Sequence, residues 1–388
     1  MKKISFGQFT TAFFVLLIFG FFLLPVLFMV LLNGTTYYIP LILVITLGLY
    51  SFLLLFIFNI SLNKKGKKIY TGILLAAVLL ASIQPIYEWI DNQIATVNAE
   101  VDIYQYMPFV EGNQVIELSE PATLKLQEPL PKMDGATALY PLYSAIAQAV
   151  YPENNYNPYE SAVMVNQTPE AYSNLINKKV DLIFAAGPSD QQINLAKTRG
   201  IELKLIPIGK EAFVFFVNSN NEVDNLTLQQ IKDIYSGKIT NWSELGGGNA
   251  KIRAFQRPQD SGSQTALQRL MGDIPIMEAP SEDVATGMGG IIHEVSQYKN
   301  YKNAIGYTFR YYSNEMVRNK EIKLLAIDGV VPTKETIREN SYPITSQFYI
   351  VTRDDVDGNV QTLIDWVLSE QGQELIEQAG YVSIISSD

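Results

Sequence analysis

Three long apolar runs fill most of the first 92 residues, and they constrain the fold more than any other feature of the chain. They extend from Phe9 to Leu32, from Tyr38 to Ile60 and from Ile69 to about Ile90. Each reaches the roughly 20 residues that a helix needs to cross the core of a bilayer. No ionisable side chain lies in the middle of a run, whereas membrane transport pathways usually need polar groups at depth. We therefore predict three transmembrane helices within residues 1–92 that anchor the chain in the lipid bilayer.

Lysines set the predicted orientation of these helices. Lys2 and Lys3 precede the first run, and the stretch KKGKK at 64–68 separates the second run from the third. The loop between the first two runs carries no charge. Because lysine-bearing loops stay in the cytoplasm, the N-terminus is expected inside and residues 101–388 outside, at the cell membrane. The alternative is a buried core helix, above all for the third run, which contains a glutamine and a proline.

Charge and cysteine content exclude several classes of partner and site. Of the chain's 29 basic and 39 acidic side chains, residues 101–388 carry 23 and 36. An acidic domain argues against nucleic acid as a partner, since phosphate backbones need basic surface. The chain has no cysteine and one histidine, His293, so a zinc site is not expected. We expect no cofactor, and the missing cysteine also excludes a lipidated N-terminal tether.

The sequence pattern of the remaining residues predicts an α/β protein. Residues 93–130 contain few periodic apolar positions and are interpreted as linker and lead-in. After them, strand-like and helix-like stretches alternate, which predicts open sheets flanked by helices. The predicted strands are 180–186, 201–208 and 211–218, and the predicted helices are 138–151, 226–237 and about 358–379.

The length of this region favours two lobes, because one such core rarely needs roughly 270 residues. We predict a solute-binding domain over 131–388. Its first lobe spans about 131–207 plus 345–388, and its second spans about 212–340. In folds of this kind, ligands sit at strand ends against helix N-termini.

The segment Arg257-Pro-Gln-Asp-Ser-Gly-Ser-Gln-Thr265, called the anion loop below, carries the chemistry of an oxyanion site. The first turn of a helix leaves N–H groups unpaired at the positive end of the helix dipole. Gly262 lets a ligand approach that backbone, Ser261 and Ser263 add hydroxyls, and Arg257 supplies a planar cationic fork. The alternative is that the serines only cap the helix and that Arg257 lies at the surface or forms an ion pair between lobes.

Eight segments in order resemble the solute-binding proteins of phosphate ABC transporters, which have the type II periplasmic-binding-protein fold. The resemblance covers about residues 130–388. The segments are DGATALYPLYSAI (134–146), VDLIFAAGPSD (180–190), IPIGKEAFVFFVN (206–218), LTLQQIKDIYSGKITNWSELGG (226–247), RPQDSGSQT (257–265), NAIGYTF (303–309), YPITSQFYIVT (342–352) and GQELIEQAGYVSI (372–384).

The resemblance implies ligand-binding roles for three regions. Arg257, Ser261, Gly262 and Ser263 match the family's arginine and Ser-Gly-Thr, with serine in place of threonine. In the first loop (134–138), Thr137 matches a hydroxyl-bearing contact, and Ala136 and Ala138 are expected to offer backbone N–H groups. In the second loop (166–172), which departs from the family's Gly-Ser-Gly, Thr168 is the candidate. The alternative for Thr137 and Thr168 is a plain helix cap.

The third loop (187–190) departs furthest from the family pattern. Phosphate-specific members have an aspartate here that accepts a hydrogen bond from the protonated ligand, whereas this chain has Gly187 and Pro188, followed by Ser189 and Asp190. We retain Ser189 as a ligand candidate, with a simple turn as the alternative. A pocket carboxylate favours a protonated oxyanion over one that cannot donate. Asp190 or Asp260 is the candidate replacement.

The implied function is capture of an inorganic oxyanion, foremost phosphate, by hinge closure about crossings near 206–213 and 340–348. ABC transporter permease subunits would then receive the ligand. The alternative is a sensor or scaffold of the same fold that binds another ligand or signals through its membrane helices. An enzyme is not expected, because a nucleophilic Ser261 or Ser263 would need a base and no second histidine exists.

Overall fold

The computed structural model describes residues 5–93, 96–97, 102–278, 298–299, 301–317, 321–356 and 358–385. The chain divides into two compact units, Met1–Ala95 and Thr96–Asp388. His293 lies outside the described residues.

The first unit consists of the three predicted helices, α1 (Phe6–Leu32), α2 (Ile39–Ile57) and α3 (Lys64–Asn92). All three are long and apolar enough to cross a membrane. Helix α1 begins with a capping box, in which Ser5 and Gln8 each bond the other's backbone N–H. Polar contacts also join neighbouring helices. The Gln8 side chain donates to the Ile57 carbonyl at 2.8 Å, and the hydroxyls of Ser51 and Tyr70 lie 2.8 Å apart.

The second unit alternates strands and helices, as predicted. Its strands are β1 (Thr96–Val97), β2 (Met133–Gly135), β3 (Leu182–Ala186), β4 (Leu203–Asn218), β5 (Asn225–Leu226), β6 (Arg253–Ala254), β7 (Tyr298–Lys299), β8 (Ala304–Phe309), β9 (Ile322–Leu324), β10 (Ala326–Ile327), β11 (Thr345–Arg353) and β12 (Val382–Ser383). Its helices are α4 (Tyr140–Val150), α5 (Gln167–Ile176), α6 (Asp190–Thr198), α7 (Leu228–Tyr235), α8 (Gly262–Met271), α9 (Lys334–Arg338), α10 (Gly358–Val367) and α11 (Glu370–Gln378).

One long strand, β4, organises the main sheet, whose strand order is β2-β3-β11-β4-β8-β6. The first half of β4 pairs antiparallel with β11, from Leu203 opposite Arg353 to Ala212 opposite Thr345. Its second half pairs antiparallel with β8, from Phe213 opposite Phe309 to Val217 opposite Ile305. The same strand therefore belongs to the sheets on both sides of the predicted crossing.

Two large apolar cores lie on these two parts of the sheet. One gathers side chains of α4, α10 and α11 with β3. The other gathers side chains of α7 and α8 with the second half of β4 and with β8. The helices of each core pack apolar side chains against the sheet, which is how an α/β layer buries its sheet.

The structure differs from the sequence expectations in three places. The two strands predicted at 201–208 and 211–218 are the single strand β4. The helix predicted at 358–379 is two helices, because Ser369 caps a new helix by accepting from Gly372 N–H. The lead-in also packs against the domain, since Ile103, Tyr106 and Leu126 are buried in the first core.

Candidate functional site

A small cavity of about 30 Å³ lies where the ligand loops meet. Four of the predicted site residues line it, namely Ala136 and Ala138 of the first loop, Thr168 of the second loop and Gly262 of the anion loop. A cavity of this size has room for about two water molecules. The second unit thus gathers segments that are far apart in sequence around one enclosed space.

The N-terminus of α8 lies directly against the second loop. A methyl group placed on Gly262 would lie 3.2 Å from Thr168 Oγ1 and 3.7 Å from the Ala186 side chain. Thr168 is buried within the first turn of α5. The space beside Gly262 is narrow, so a larger side chain at this position would block a ligand from the helix N-terminus, whereas glycine leaves it accessible.

The anion loop has the predicted helix start, and Ser261 is its N-cap. The Ser261 hydroxyl oxygen accepts from Gln264 N–H, so the capping role is observed. The N–H groups of Gly262 and Ser263 belong to the first turn, which has no intrahelical acceptor for them. These two donors and the positive end of the helix dipole suit an anion.

Arg257 is held at the start of this loop by its backbone. Its N–H donates to Gln264 Oε1 and to the Tyr307 hydroxyl, both at 2.9 Å. Its guanidinium Nε is buried and has no hydrogen-bond partner among the described residues. A buried donor without an acceptor is costly, and an oxyanion would satisfy it. Neither Arg257 nor Ser261 nor Ser263 lines the cavity itself.

The first loop differs from the expectation in one respect. The backbone N–H of Ala136 donates to the Phe184 carbonyl at 2.9 Å, so it is not available to a ligand. This bond arises because β2 and β3 are parallel neighbours and their pairing continues one residue beyond β2. Thr137 begins a short 3-10 turn, Thr137–Leu139, and does not line the cavity.

The third loop contacts the anion loop directly. Ser189 caps α6 and also donates its hydroxyl proton to Asp260 Oδ1 at 2.6 Å. Gln192 Nε2 donates to the Asp260 carbonyl at 3.3 Å. The carboxylate of Asp260 is therefore engaged by Ser189, and Asp190 is exposed on the first turn of α6. Neither aspartate lines the cavity.

Arg269 is a contact of the third loop that the sequence analysis missed. This residue lies in the last turn of α8, and its Nη2 donates to the Pro188 carbonyl at 2.6 Å. A methyl group on Gly187 would lie 2.9 Å from Arg269 Nη1. The guanidinium thus covers the two residues that replace the family's aspartate.

Glu211 is the second residue that the sequence analysis missed, and it does line the cavity. Glu211 is only 4% exposed to solvent. Oε1 accepts from Ala212 N–H at 2.8 Å, and Oε2 accepts from Tyr311 N–H at 3.2 Å. Arg310 Nε lies 3.4 Å from Oε1, an ion-pair distance without hydrogen-bond alignment. Burial raises the pKa of Glu211 to about 7, although Arg310 and the two N–H groups act in the opposite direction.

Aromatic side chains form another wall of the cavity. The lining residues include Phe309, Tyr311, Phe348 and Tyr381. The rings of Tyr311 and Tyr381 stack with centroids 4.2 Å apart, and Phe348 meets Tyr381 edge-on at 5.3 Å. These apolar rings lower the local dielectric constant, so charges and hydrogen bonds inside the cavity are electrostatically stronger than in water.

Comparisons with known proteins agree with this architecture. The model of the PBP superfamily domain matches residues 129–371. The phosphate-binding protein PstS of Borreliella burgdorferi is 28% identical over 180 residues, which cover 45% of this chain and 63% of the relative. PstS of Bacillus subtilis is 26% identical over 258 residues, which cover 65% of this chain and 80% of the relative.

One solved structure is similar at the level of the fold and of the sequence. It comes from Clostridium perfringens, holds bound phosphate and is assigned to phosphate ABC transporter substrate-binding proteins. It shares 26% identity and a TM-score of 0.50 with this chain, and the match covers 65% of this chain and 98% of that one. With the family model matching residues 129–371, the chain belongs to the PBP superfamily.

Proposed function

We propose that this chain captures an inorganic oxyanion, foremost phosphate, outside the cytoplasmic membrane and delivers it to the permease subunits of an ABC transporter. The proposal rests on the arrangement of donor groups at the start of α8. There, the first turn of the helix lies against Thr168 of the second loop at Gly262, and the same loop carries Arg257, whose buried Nε has no hydrogen-bond partner among the described residues. The names of the relatives and the phosphate held by the Clostridium structure support the choice of ligand.

Binding would proceed by closure of two lobes about the paired crossings. Strands β4 and β11 run side by side through this region, with Lys210 opposite Gln347 and Ala212 opposite Thr345. Two adjacent crossings allow the lobes to rotate about one axis while each core stays intact. The third loop and the anion loop would separate in the open state, because Ser189 and Asp260 belong to different predicted lobes.

Catalysis is not part of the proposal. Ser261 Oγ accepts from Gln264 N–H, and no side chain among the described residues accepts a hydrogen bond from this hydroxyl, whereas a nucleophilic serine needs its hydroxyl hydrogen-bonded to a base. The site offers donors for holding an anion, which is the chemistry of a receptor.

The proposed topology has the N-terminus in the cytoplasm, three membrane spans and the solute-binding domain outside. Three helices of sufficient length support three crossings. The lysines at 64–68 in the first turns of α3 support a cytoplasmic start for that helix.

Calorimetry on Arg257→Ala tests the binding site. The full-length chain in lipid nanodiscs, dialysed free of phosphate, is titrated with phosphate. Removing a guanidinium that bonds an anion in a desolvated site costs about 2–4 kcal/mol, so affinity should fall by at least thirtyfold. Arg199→Ala is the matched control, since Arg199 is exposed and its side chain bonds only Asn177 among the described residues. Unchanged affinity in Arg257→Ala would remove this residue from the site, and no heat with wild type would overturn the function.

A further inference from the structure

The cavity contains a carboxylate that the family resemblance did not assign. Among the described residues that line it, Glu211 is the one acidic residue, and none is lysine or arginine. It shares the cavity with Gly262, which the resemblance assigns to ligand contact, and with Thr168, the candidate contact of the second loop. Because Gly262 and Glu211 both line this one cavity, an ion held at Gly262 would face Glu211.

The surroundings of Glu211 leave it able to accept a further hydrogen bond. A carboxylate has about four acceptor sites, and two are taken by the N–H groups of Ala212 and Tyr311. Arg310 balances its charge at 3.4 Å, so the ionised pair repels an anion less than a lone carboxylate would. Arg310 is itself held by the Gly380 carbonyl at 2.8 Å and lies 3.9 Å from Glu315.

We propose that Glu211 sets the ligand specificity of the cavity by accepting a hydrogen bond from the protonated oxygen of the bound oxyanion. This assignment rests on the proposed function. The ligand class is an oxyanion that keeps a proton near neutral pH, as phosphate does. A fully ionised oxyanion such as sulfate has no proton to donate and faces the carboxylate unpaired.

The position of Glu211 explains how the chain manages without an acid in the third loop. Strand β3 ends at Ala186, and Gly187 and Pro188 follow without a carboxylate. Asp260 is bonded to Ser189, and Asp190 is exposed. The acid that reaches the cavity comes instead from β4, at the crossing between the two cores.

The experiment measures phosphate and sulfate affinity in wild type and Glu211→Gln, using the full-length chain in nanodiscs at pH 8. The glutamine keeps the size and one acceptor oxygen of the side chain, but it adds an N–H₂ donor and removes the charge. A hydrogen bond to a charged group is worth about 1.5–3 kcal/mol. The ratio of sulfate to phosphate dissociation constants should therefore fall by roughly tenfold or more, through weaker phosphate binding, tighter sulfate binding or both.

Glu211→Asp and Glu315→Gln serve as comparison variants. The aspartate keeps a carboxylate and should retain a preference for phosphate. Glu315→Gln removes the other acid near Arg310, which does not line the cavity, and should leave the ratio unchanged. If Glu211 had only a structural role, Glu211→Gln would weaken the binding of both anions equally. An unchanged ratio of dissociation constants in Glu211→Gln therefore overturns the inference, while the proposed function stands. Failure of wild type to bind either anion would overturn both.

Sulfate binding by wild type gives a second measurement that needs no folded variant. Sulfate stays fully ionised between pH 5.5 and 8.5, so any change in its affinity must come from a change in the protonation of the protein. Protonated Glu211 can donate to sulfate, and ionised Glu211 cannot. Wild type should bind sulfate at least tenfold more tightly at pH 5.5 than at pH 8.5. Equal sulfate affinity at the two pH values would contradict the assignment.

Discussion

Glu211 also gives the folded domain a pH-dependent stability. Its pKa is raised from 4.5 to about 7, with burial as the largest cause. Between those two values the native state keeps a proton that the unfolded state has lost. Stability contributed by this group is therefore fully present at low pH, falls as pH rises from about 4.5 to about 7, and is constant above that. The slope approaches about 1.4 kcal/mol per pH unit.

Thermal unfolding of wild type and Glu211→Gln at pH 5 and pH 8 measures this contribution. Glutamine does not titrate, so the variant should gain several degrees in Tm relative to wild type on going from pH 5 to pH 8. The groups nearest Glu211 are Arg310, Tyr311 and Tyr381, and the pKa of Tyr381 is raised well above this range by burial. The same Tm difference at both pH values would show that Glu211 does not titrate as described.

At the scale of residues, the sequence predicted the parts of the site that lie within one segment. The helix start at Gly262 and the Ser261 cap follow from local pattern, since capping needs only neighbouring residues. Glu211 could not be found in this way. Its partners Tyr311 and Arg310 lie about a hundred positions away in the chain. The one local indication is a charged residue directly before the apolar stretch AFVFFV.

At the scale of elements, two of the three departures from prediction involve a glycine that packs closely against a neighbouring element. The sequence at Gly209 and Lys210 predicts a break between two strands, yet both residues lie in β4. Gly209 has no side chain, and this leaves room for the Phe348 ring. A methyl group there would lie 2.2 Å from that ring. The C-terminal helix splits where Ser369 caps α11, and there Gly372 packs tightly against the end of α10. Contacts between elements, which periodicity does not encode, decided both cases.

Gly372→Ala tests the contact that separates α10 from α11. A methyl group on Gly372 would lie 2.3 Å from the Trp366 carbonyl oxygen and 2.5 Å from that of Val367. These are backbone atoms, so one of the helices must shift, at a cost of about 2 kcal/mol. Gly358→Ala is the matched control, because nothing lies within 4 Å of a methyl group there, and its effect should stay within about 1 kcal/mol. Chemical denaturation of both variants compares them, and equal stability would contradict the packing argument.

At the scale of the whole molecule, the fold class and the membrane helices were predictable because both rest on long, repeated patterns. An apolar run that crosses a bilayer, or an alternation of strands and helices, sums many weak preferences. The cavity depends instead on a few side chains from loops that only the folded sheet brings together. Thr168 and Gly262 are 94 positions apart in the chain, yet they are neighbours across the cleft.

The proposed topology can be tested with single cysteines, since the natural chain has none. Lys65→Cys marks the first turn of α3, and Asn154→Cys marks an exposed position in the solute-binding domain. A membrane-impermeant maleimide should label Asn154→Cys on intact cells and Lys65→Cys only after permeabilisation, because the proposed topology has the lysines at the start of α3 in the cytoplasm. Both variants should label fully in detergent, which controls for accessibility. Labelling of Lys65→Cys on intact cells with protection of Asn154→Cys would reverse the orientation. The binding site would then face the cytoplasm, and capture of an external oxyanion would be impossible.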